Sequence, residues 1–502
     1  MTTASDAGGG RSYGQILKST LVIGGSSAIG VVLAVVRNKL IAAMLGPEGI
    51  GLIGLYTAML DIASAVAGLG IQASGVRRVA ELAEAGDRAR IAQCNAVLNR
   101  LSLLLAFAGA LVLASLALPV ARFTFGDGRN AVGVALLALA LFLRLIGGGM
   151  TALIQGMRDI AGLARINVLG ALLGTAITLP LIYRLGAAGI VPSLIGSAAA
   201  ILLVTWWRSR GMRLPSSSVP AVGFADESGT LLRLGLVFMA SGVLTFGAAY
   251  AIRIIVLHAQ GAAAMGLYQA AWAIGGLYGG FILQAMGTDF YPRLAGIAGN
   301  DREVNRLVNE QIRVSILLAG PGVVATLAFA SPVMHLFYTA EFTAGTDLLR
   351  WICLGMMLRI ISWPMGFIII AKSAQALFFW TEVAAATVHV GLAWLLVGPF
   401  GVAGAGAAFL GLYVWHTGLV CIVVGRLSGF RCSGDNLRLC AIFLAASSAV
   451  LAAGWTLPEW GATAAGVTIL LSCGLYSLKV LAGLVPPESV PVRIRGLLAR
   501  LA

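Results

Sequence analysis

Apolar residues run in blocks of about twenty along almost the whole chain, separated by short stretches that hold glycine, proline or arginine. Blocks of that length match the thickness of a bilayer core at helical rise, and their unbroken character excludes the alternation of a membrane β-barrel. They predict spans near 16–45, 50–70, 96–118, 131–156, 162–183 and 187–207, then 233–257, 266–288, 312–331, 347–371, 376–397 and 401–424. A final pair is expected near 438–456 and 461–484. The first block follows a polar opening and is longer than the apolar region of a cleaved signal peptide, so it reads as a retained span.

The fold class that follows is all-α: a polytopic membrane protein of about fourteen transmembrane helices, in two pseudo-symmetric six-helix lobes plus a C-terminal helix pair. The expected order is a cytoplasmic tail (1–14), an N-lobe (15–207), a cytoplasmic linker (208–232), a C-lobe (233–425), the extra pair (438–484) and a cytoplasmic tail (485–502). Composition agrees, since 59% of the 502 residues are hydrophobic and 11% charged, with a mean hydropathy of +0.93. A soluble domain carries about 25% charged residues.

The net charge of +14 changes only the orientation. Loops of one parity hold Arg77, Arg78, Arg88, Arg90, Arg158, Arg165, Arg208, Arg210, Arg213, Arg293, Arg302, Arg306, Lys372, Arg426 and Arg431, whereas the others offer mainly Arg122, Arg129 and Arg184. The positive-inside bias therefore puts both termini in the cytoplasm, and the charge implies no nucleic-acid partner. Six cysteines without paired spacing suggest neither a zinc site nor a disulfide framework, and no cofactor motif is present. No loop is long enough for a catalytic constellation, which argues against an enzyme.

Sliding residues 1–207 by 215 positions reveals an internal repeat. Gly46, Gly51 and Leu52 fall on Gly261, Gly266 and Leu267; Arg78 falls on Arg293; and Leu143-Arg144-Leu145-Ile146 falls on Leu358-Arg359-Ile360-Ile361. Arg37 meets Arg253 with a one-residue gap. Each half holds an even number of spans, so the copies should be related by an axis along the membrane normal and enclose a cleft.

Four arginines lie deep within spans. Arg37 and Arg253 precede a loop glycine by nine and eight residues, about 12–13 Å at helical rise, and Arg144 and Arg359 are mid-span. Each would cost about 2.5–3.5 kcal/mol facing lipid, so a wet cavity, a counter-charge or an anion is expected. Asp61 and Glu382 are the comparably placed acids, and two acids leave the cleft net positive. Asp61 reads equally as a partner of one arginine or as a titratable coupling residue, Glu382 first as a snorkelling acid and otherwise as an ion-coupling residue or charge partner, and His389 as a hydrogen-bonded packing residue. Pro364, five positions after Arg359, is a candidate hinge.

Arg37-Asn38-Lys39-Leu40-Ile41-Ala42, then Leu45-Gly46-Pro47-Glu48-Gly49-Ile50-Gly51-Leu52, then Arg77-Arg78-Val79-Ala80-Glu81 resemble the opening of Wzx-type O-antigen flippases, of the multidrug/oligosaccharidyl-lipid/polysaccharide exporter superfamily. The resemblance covers the first twelve spans; the extra pair is more like the fourteen-span polysaccharide and peptidoglycan-precursor flippases. It implies translocation of a polyprenyl-diphosphate-linked oligosaccharide across a bacterial inner membrane by alternating access, with membrane lipids and the polysaccharide polymerase machinery as partners. The four arginines would hold the diphosphate. A multidrug antiporter of the same superfamily is the rival reading, and a membrane polysaccharide polymerase or ligase a more distant one.

Overall fold

A chain that crosses hydrocarbon must satisfy its own peptide groups, and this one does so with helices joined by tight turns. The computed structural model describes residues 4–212, 221–285 and 290–484, and within them all side chains except those of 4–29, 160, 221–223, 278, 279, 281–285 and 459. Part of the expected linker and the expected C-terminal tail, with Arg213, lie outside the described residues.

The elements are α1 (Ala4–Ala67), α2 (Ile71–Glu84), α3 (Arg88–Ser115), α4 (Ala117–Phe125), α5 (Ala131–Gly156), α6 (Ile160–Leu185), α7 (Ile190–Arg210) and α8 (Ala221–Ala285). They continue with α9 (Tyr291–Gly296), α10 (Asp301–Ala328), α11 (Ala330–Phe337), α12 (Thr346–Ala371), α13 (Gln375–Ser428), α14 (Gly434–Thr456) and α15 (Glu459–Leu484). There is no strand among the described residues, so the all-α expectation holds.

Ten apolar segments are long enough to cross a bilayer, and four of them, Gly30–Ala67, Ala161–Arg210, Phe224–Leu277 and Gln375–Ser428, are 38 to 54 residues long. Each of the four doubles back at one glycine: Gly46 (φ 63°, ψ −168°), Gly186 (φ 58°, ψ −135°), Gly261 (φ 84°, ψ 177°) and Gly401 (φ 60°, ψ −151°). Such dihedrals are almost closed to residues with a Cβ. Two crossings per long segment give fourteen crossings among the described residues. The turns follow the first, fifth, seventh and eleventh, so alternation gives them all the same parity.

The 215-residue repeat extends to backbone detail. Gly186 and Gly401 share the offset just as Gly46 and Gly261 do, and α5 and α12 begin and end 215 residues apart. After each of those helices a non-glycine residue takes φ 56°, Arg158 in one copy and Ser373 in the other. The flanking hydrogen bonds also match: Asp159 N donates to Ile154 O at 3.1 Å, as Ala374 N does to Ile369 O at 3.1 Å. Beside these turns Arg158 Nη2 meets Glu84 Oε1 at 2.7 Å, and Lys372 Nζ meets Asp301 Oδ1 at 2.5 Å.

Two compact units emerge. One comprises Ile29–Gln269 with Phe337–Thr339; the other comprises the described parts of Met1–Ala28, Ala270–Leu336 and Ala340–Ala502. The first is centred on Tyr56, Met59, Leu137 and Leu141, with a further cluster around Val79, Leu98, Leu153 and Leu231. Within it the amphipathic α2, which hydropathy alone passes over, is tied to α8: Arg78 Nε and Nη2 donate to the two carboxylate oxygens of Glu227 at 2.7 and 3.2 Å. Those hydrogen bonds to a carboxylate raise the Arg78 guanidinium above its ordinary pKa.

In the other unit α14 and α15 pack on α10. At one end Asn309 of α10 holds the connection into α14, accepting from Ser433 N at 2.8 Å and donating to Arg431 O at 3.1 Å, while Asn436 Nδ2 donates to Asn309 O at 2.8 Å. At the other end Trp455 of α14 donates to Asp347 of α12 at 3.4 Å and lies 5.5 Å from the Trp351 ring.

The glycine turns make a direct prediction. Gly186→Ala and Gly401→Ala should each cost about 1–3 kcal/mol through backbone strain and lower the melting temperature of the detergent-purified protein. Gly398→Ala, in ordinary helix with open space around its Cβ position, should not lower it.

Candidate functional site

Helical rise sets the depth of each charged group. Arg37 lies nine residues before the Gly46 turn and Arg253 eight before the Gly261 turn, about 12–13 Å along the helix in both cases. Arg144 and Arg359 each lie thirteen residues after the first residue of a 26-residue helix, α5 and α12, and so sit halfway along. Arg37, Arg144 and Arg253 belong to the first unit and Arg359 to the second.

Each arginine has found a different answer to its burial. Arg144 Nη1 is 2.7 Å from Asp61 Oδ1, and the pair is part-exposed, with side chains 42% and 27% accessible. Asp61 is thus a charge partner, one of the two roles open to it in the sequence. Arg253, only 8% exposed, is held by neutral acceptors. Its Nε and Nη2 donate to Gln269 Oε1 at 3.2 and 3.1 Å, and its Nη1 donates to Ala249 O at 2.9 Å. The hairpin at Gly261 explains the first contact, because Arg253 and Gln269 lie eight residues on either side of the turn and so reach the same level. The Tyr268 ring centre is 5.8 Å from the guanidinium carbon.

Arg37 sits near the buried Tyr338, whose hydroxyl accepts from Asn38 Nδ2 at 3.4 Å. Arg359 stacks on Trp363, one helical turn along α12, with its guanidinium carbon 3.9 Å from the ring centre and 5.7 Å from that of Tyr413 on α13. Its Nε is buried without a hydrogen-bond partner among the described residues. Glu382 is close enough for its charge to act on Arg359 but forms no ion pair with it among the described residues. His389 packs at 5.7 Å against the Phe409 ring, in line with a packing role. α12 stays helical through Pro364.

Among the described residues, then, Arg144 is the deep arginine with a carboxylate partner, Arg253 is held by an amide and a carbonyl oxygen, Arg359 faces aromatic rings, and Arg37 lies near Tyr338. None of the groups around the last three cancels charge, and of these three only Arg253 has its donors met by oxygen among the described residues, which leaves the guanidinium forks suited to an incoming anion. Gln269, Tyr268, Trp363, Tyr413 and Tyr338 escape a reading based on ionisable residues. The one sequence signal for Gln269 was its equal distance from the glycine turn. No group of three or more metal-ligating side chains occurs among the described residues.

The family model for "Polysaccharide biosynthesis protein" matches residues 40–346, well over half of the chain. The chain belongs to this polysaccharide biosynthesis family. It is 25% identical over 417 residues to the lipid III flippase of Escherichia coli (strain K12), a match that covers 81% of this chain and 97% of that protein. Its fold is that of the MOP-superfamily transporters. The lipid II flippase MurJ in an inward closed conformation superposes with a TM-score of 0.68 at 12% identity, covering 92% of this chain and 99% of that one. An inward-facing multidrug resistance MATE family transporter gives a TM-score of 0.66 at 18% identity over 79% of this chain and 94% of that one. Residues 1–433 are about 86% of the chain, so the MurJ likeness must extend past residue 433 into the C-terminal helix pair. The polysaccharide family and the fold expected from the Arg37–Ala42, Leu45–Leu52 and Arg77–Glu81 segments are thus the ones found.

The Asp61–Arg144 pair predicts strong coupling. Asp61→Asn and Arg144→Gln should each lower the melting temperature more than the double substitution does, because each single change strands the opposite charge. A double-mutant cycle should return about 1–3 kcal/mol.

Proposed function

We propose that the protein is a flippase that moves a polyprenyl-diphosphate-linked oligosaccharide, an O-antigen or polysaccharide repeat unit, across the bacterial inner membrane by alternating access. The observation that carries this reading is the set of deep arginines without a carboxylate ion pair among the described residues: Arg253, held by Gln269 and Ala249, Arg359, stacked on Trp363, and Arg37, near Tyr338. A diphosphate brings the charge and the oxygen geometry that guanidinium forks match, and it binds more strongly to them than amides or carbonyls do. The lipid III flippase of E. coli and the polysaccharide biosynthesis family support the same substrate class.

In this account Arg37, Arg144, Arg253 and Arg359 take part in holding the diphosphate, the sugar occupies a hydrated space, and the polyprenyl tail stays in lipid. Asp61 tempers the charge of Arg144, and Glu382 that of Arg359. Pro364, directly beyond the Arg359–Trp363 stack, is the proposed hinge. Both termini lie in the cytoplasm, and the polysaccharide polymerase machinery receives the product on the far side. The MATE likeness raises the alternative of a drug-cation antiporter, but a cationic substrate would meet three arginines with no carboxylate ion pair among the described residues and be repelled.

Single alanine substitutions at Arg37, Arg253 and Arg359 should each weaken substrate binding by about 1.5–3 kcal/mol. Lysine should rescue in part, since it keeps the charge and loses the fork. The measurement is surface glycan and accumulated lipid-linked precursor in a deletion strain complemented at matched expression. Full export by all the alanine variants would rule out the mechanism.

A further inference from the structure

Around Arg253 the two repeats meet in a way that neither copy alone explains. The second arm of α1, after Gly46, crosses the second arm of α8, after Gly261, backbone against backbone. A Cβ on Gly51 would lie 2.6 Å from the Ala262 carbonyl oxygen and 2.9 Å from the Gly266 nitrogen, and a Cβ on Gly266 would lie 1.8 Å from the Pro47 carbonyl oxygen. Gly51 and Gly266 are 215 residues apart, so they are the same repeat position, packed against each other. All of these residues belong to the first unit.

About one turn further along both arms, the next repeat-equivalent pair is Gly54 and Gln269, and here the copies differ. A Cβ on Gly54 would fall 2.7 Å from Gln269 Oε1 and 2.8 Å from its Cδ and Cγ, so the glutamine side chain lies in a notch that any side chain at 54 would fill. Its Oε1 is the atom that accepts from Arg253 Nε and Nη2. The state of the helix crossing thus fixes where Gln269 can sit, and Gln269 fixes where the Arg253 fork points.

We propose that Gln269 is a positioning residue that parks the Arg253 guanidinium while the Gly51–Gly266 crossing is closed and releases it when the crossing opens. The inference rests on the reading of Arg253 as an anion ligand. An amide oxygen suits the task because it satisfies the buried donors with a neutral hydrogen bond, and a phosphate oxygen, whose charge-assisted bonds are roughly twice as strong, displaces it once the notch widens. A carboxylate at 269 would hold the fork too firmly.

Two experiments test this. In a Gly54→Cys/Gln269→Cys protein, the Cβ of residue 54 faces the glutamine stem at a distance compatible with a disulfide. Oxidation in membranes should give the 54–269 linked peptide by mass spectrometry and stop export, and reductant should return export to the level of Gln269→Cys alone. Absence of the linked peptide overturns the closed notch, and linkage with undiminished export overturns the opening. The second compares Gln269→Glu with Gln269→Leu at equal expression. The latch predicts about a tenfold loss of export for Glu and a smaller one, about threefold, for Leu. A purely structural role predicts the reverse, since Glu is nearly isosteric, and that ranking overturns the proposal. Normal export by Arg253→Ala would instead remove the anion-ligand reading, while the cross-linking result would stand by itself.

Discussion

A guanidinium that can neither reach water nor shed its proton is the constraint around which this molecule is arranged. Placed mid-span, it must be given donors' partners, a counter-charge or access to an aqueous space, and the chain supplies these separately. Asp61 brings charge to Arg144, Gln269 and Ala249 bring oxygen to Arg253, and Trp363 and Tyr413 bring aromatic faces to Arg359. Only the first removes charge. A protein selecting for stability alone would gain by pairing all of them or replacing them with apolar residues. Retaining neutral partners at Arg253 and Arg359 keeps binding capacity in a place where it is costly, which is the signature expected of a pathway for an anionic cargo.

The repeat makes this arrangement possible. Glycine turns at Gly46 and Gly261 set the depth of Arg37 and Arg253, and α5 and α12 set the depth of Arg144 and Arg359 in the same register. Duplication fixes where the charges lie, and divergence decides how each is held: Gly54 against Gln269 is one case, and Asp61 without an acidic counterpart at Gly276 is another. The chain thereby keeps one scaffold and gives its copies different chemistry.

Legibility in the sequence followed the same physics. Helical spans declare themselves because lipid tolerates no unsatisfied backbone, and arginines inside them stand out because they are expensive, so the all-α architecture and the four deep cations could be read from residue types alone. The pairing of Arg144 with Asp61 could be foreseen only as one of two roles, since depth along a helix does not say which face a side chain takes. α2 escaped because an amphipathic helix lacks a hydropathic block, and its link from Arg78 to Glu227 joins residues 149 apart. Gln269, Trp363 and Tyr413 escaped because neutral polar and aromatic residues in a span are ordinary until a charge is found beside them.

The central claim is that the protein recognises a diphosphate joined to a lipid and a sugar through its deep arginines. Native mass spectrometry of the purified protein with matched polyprenyl lipids carrying a diphosphate-sugar, a monophosphate-sugar or an uncharged sugar tests it most directly. The account predicts preference in that order, with the diphosphate advantage shrinking in Arg253→Ala and Arg359→Ala proteins. Equal retention of the uncharged lipid, or a diphosphate preference untouched by both substitutions, would contradict it.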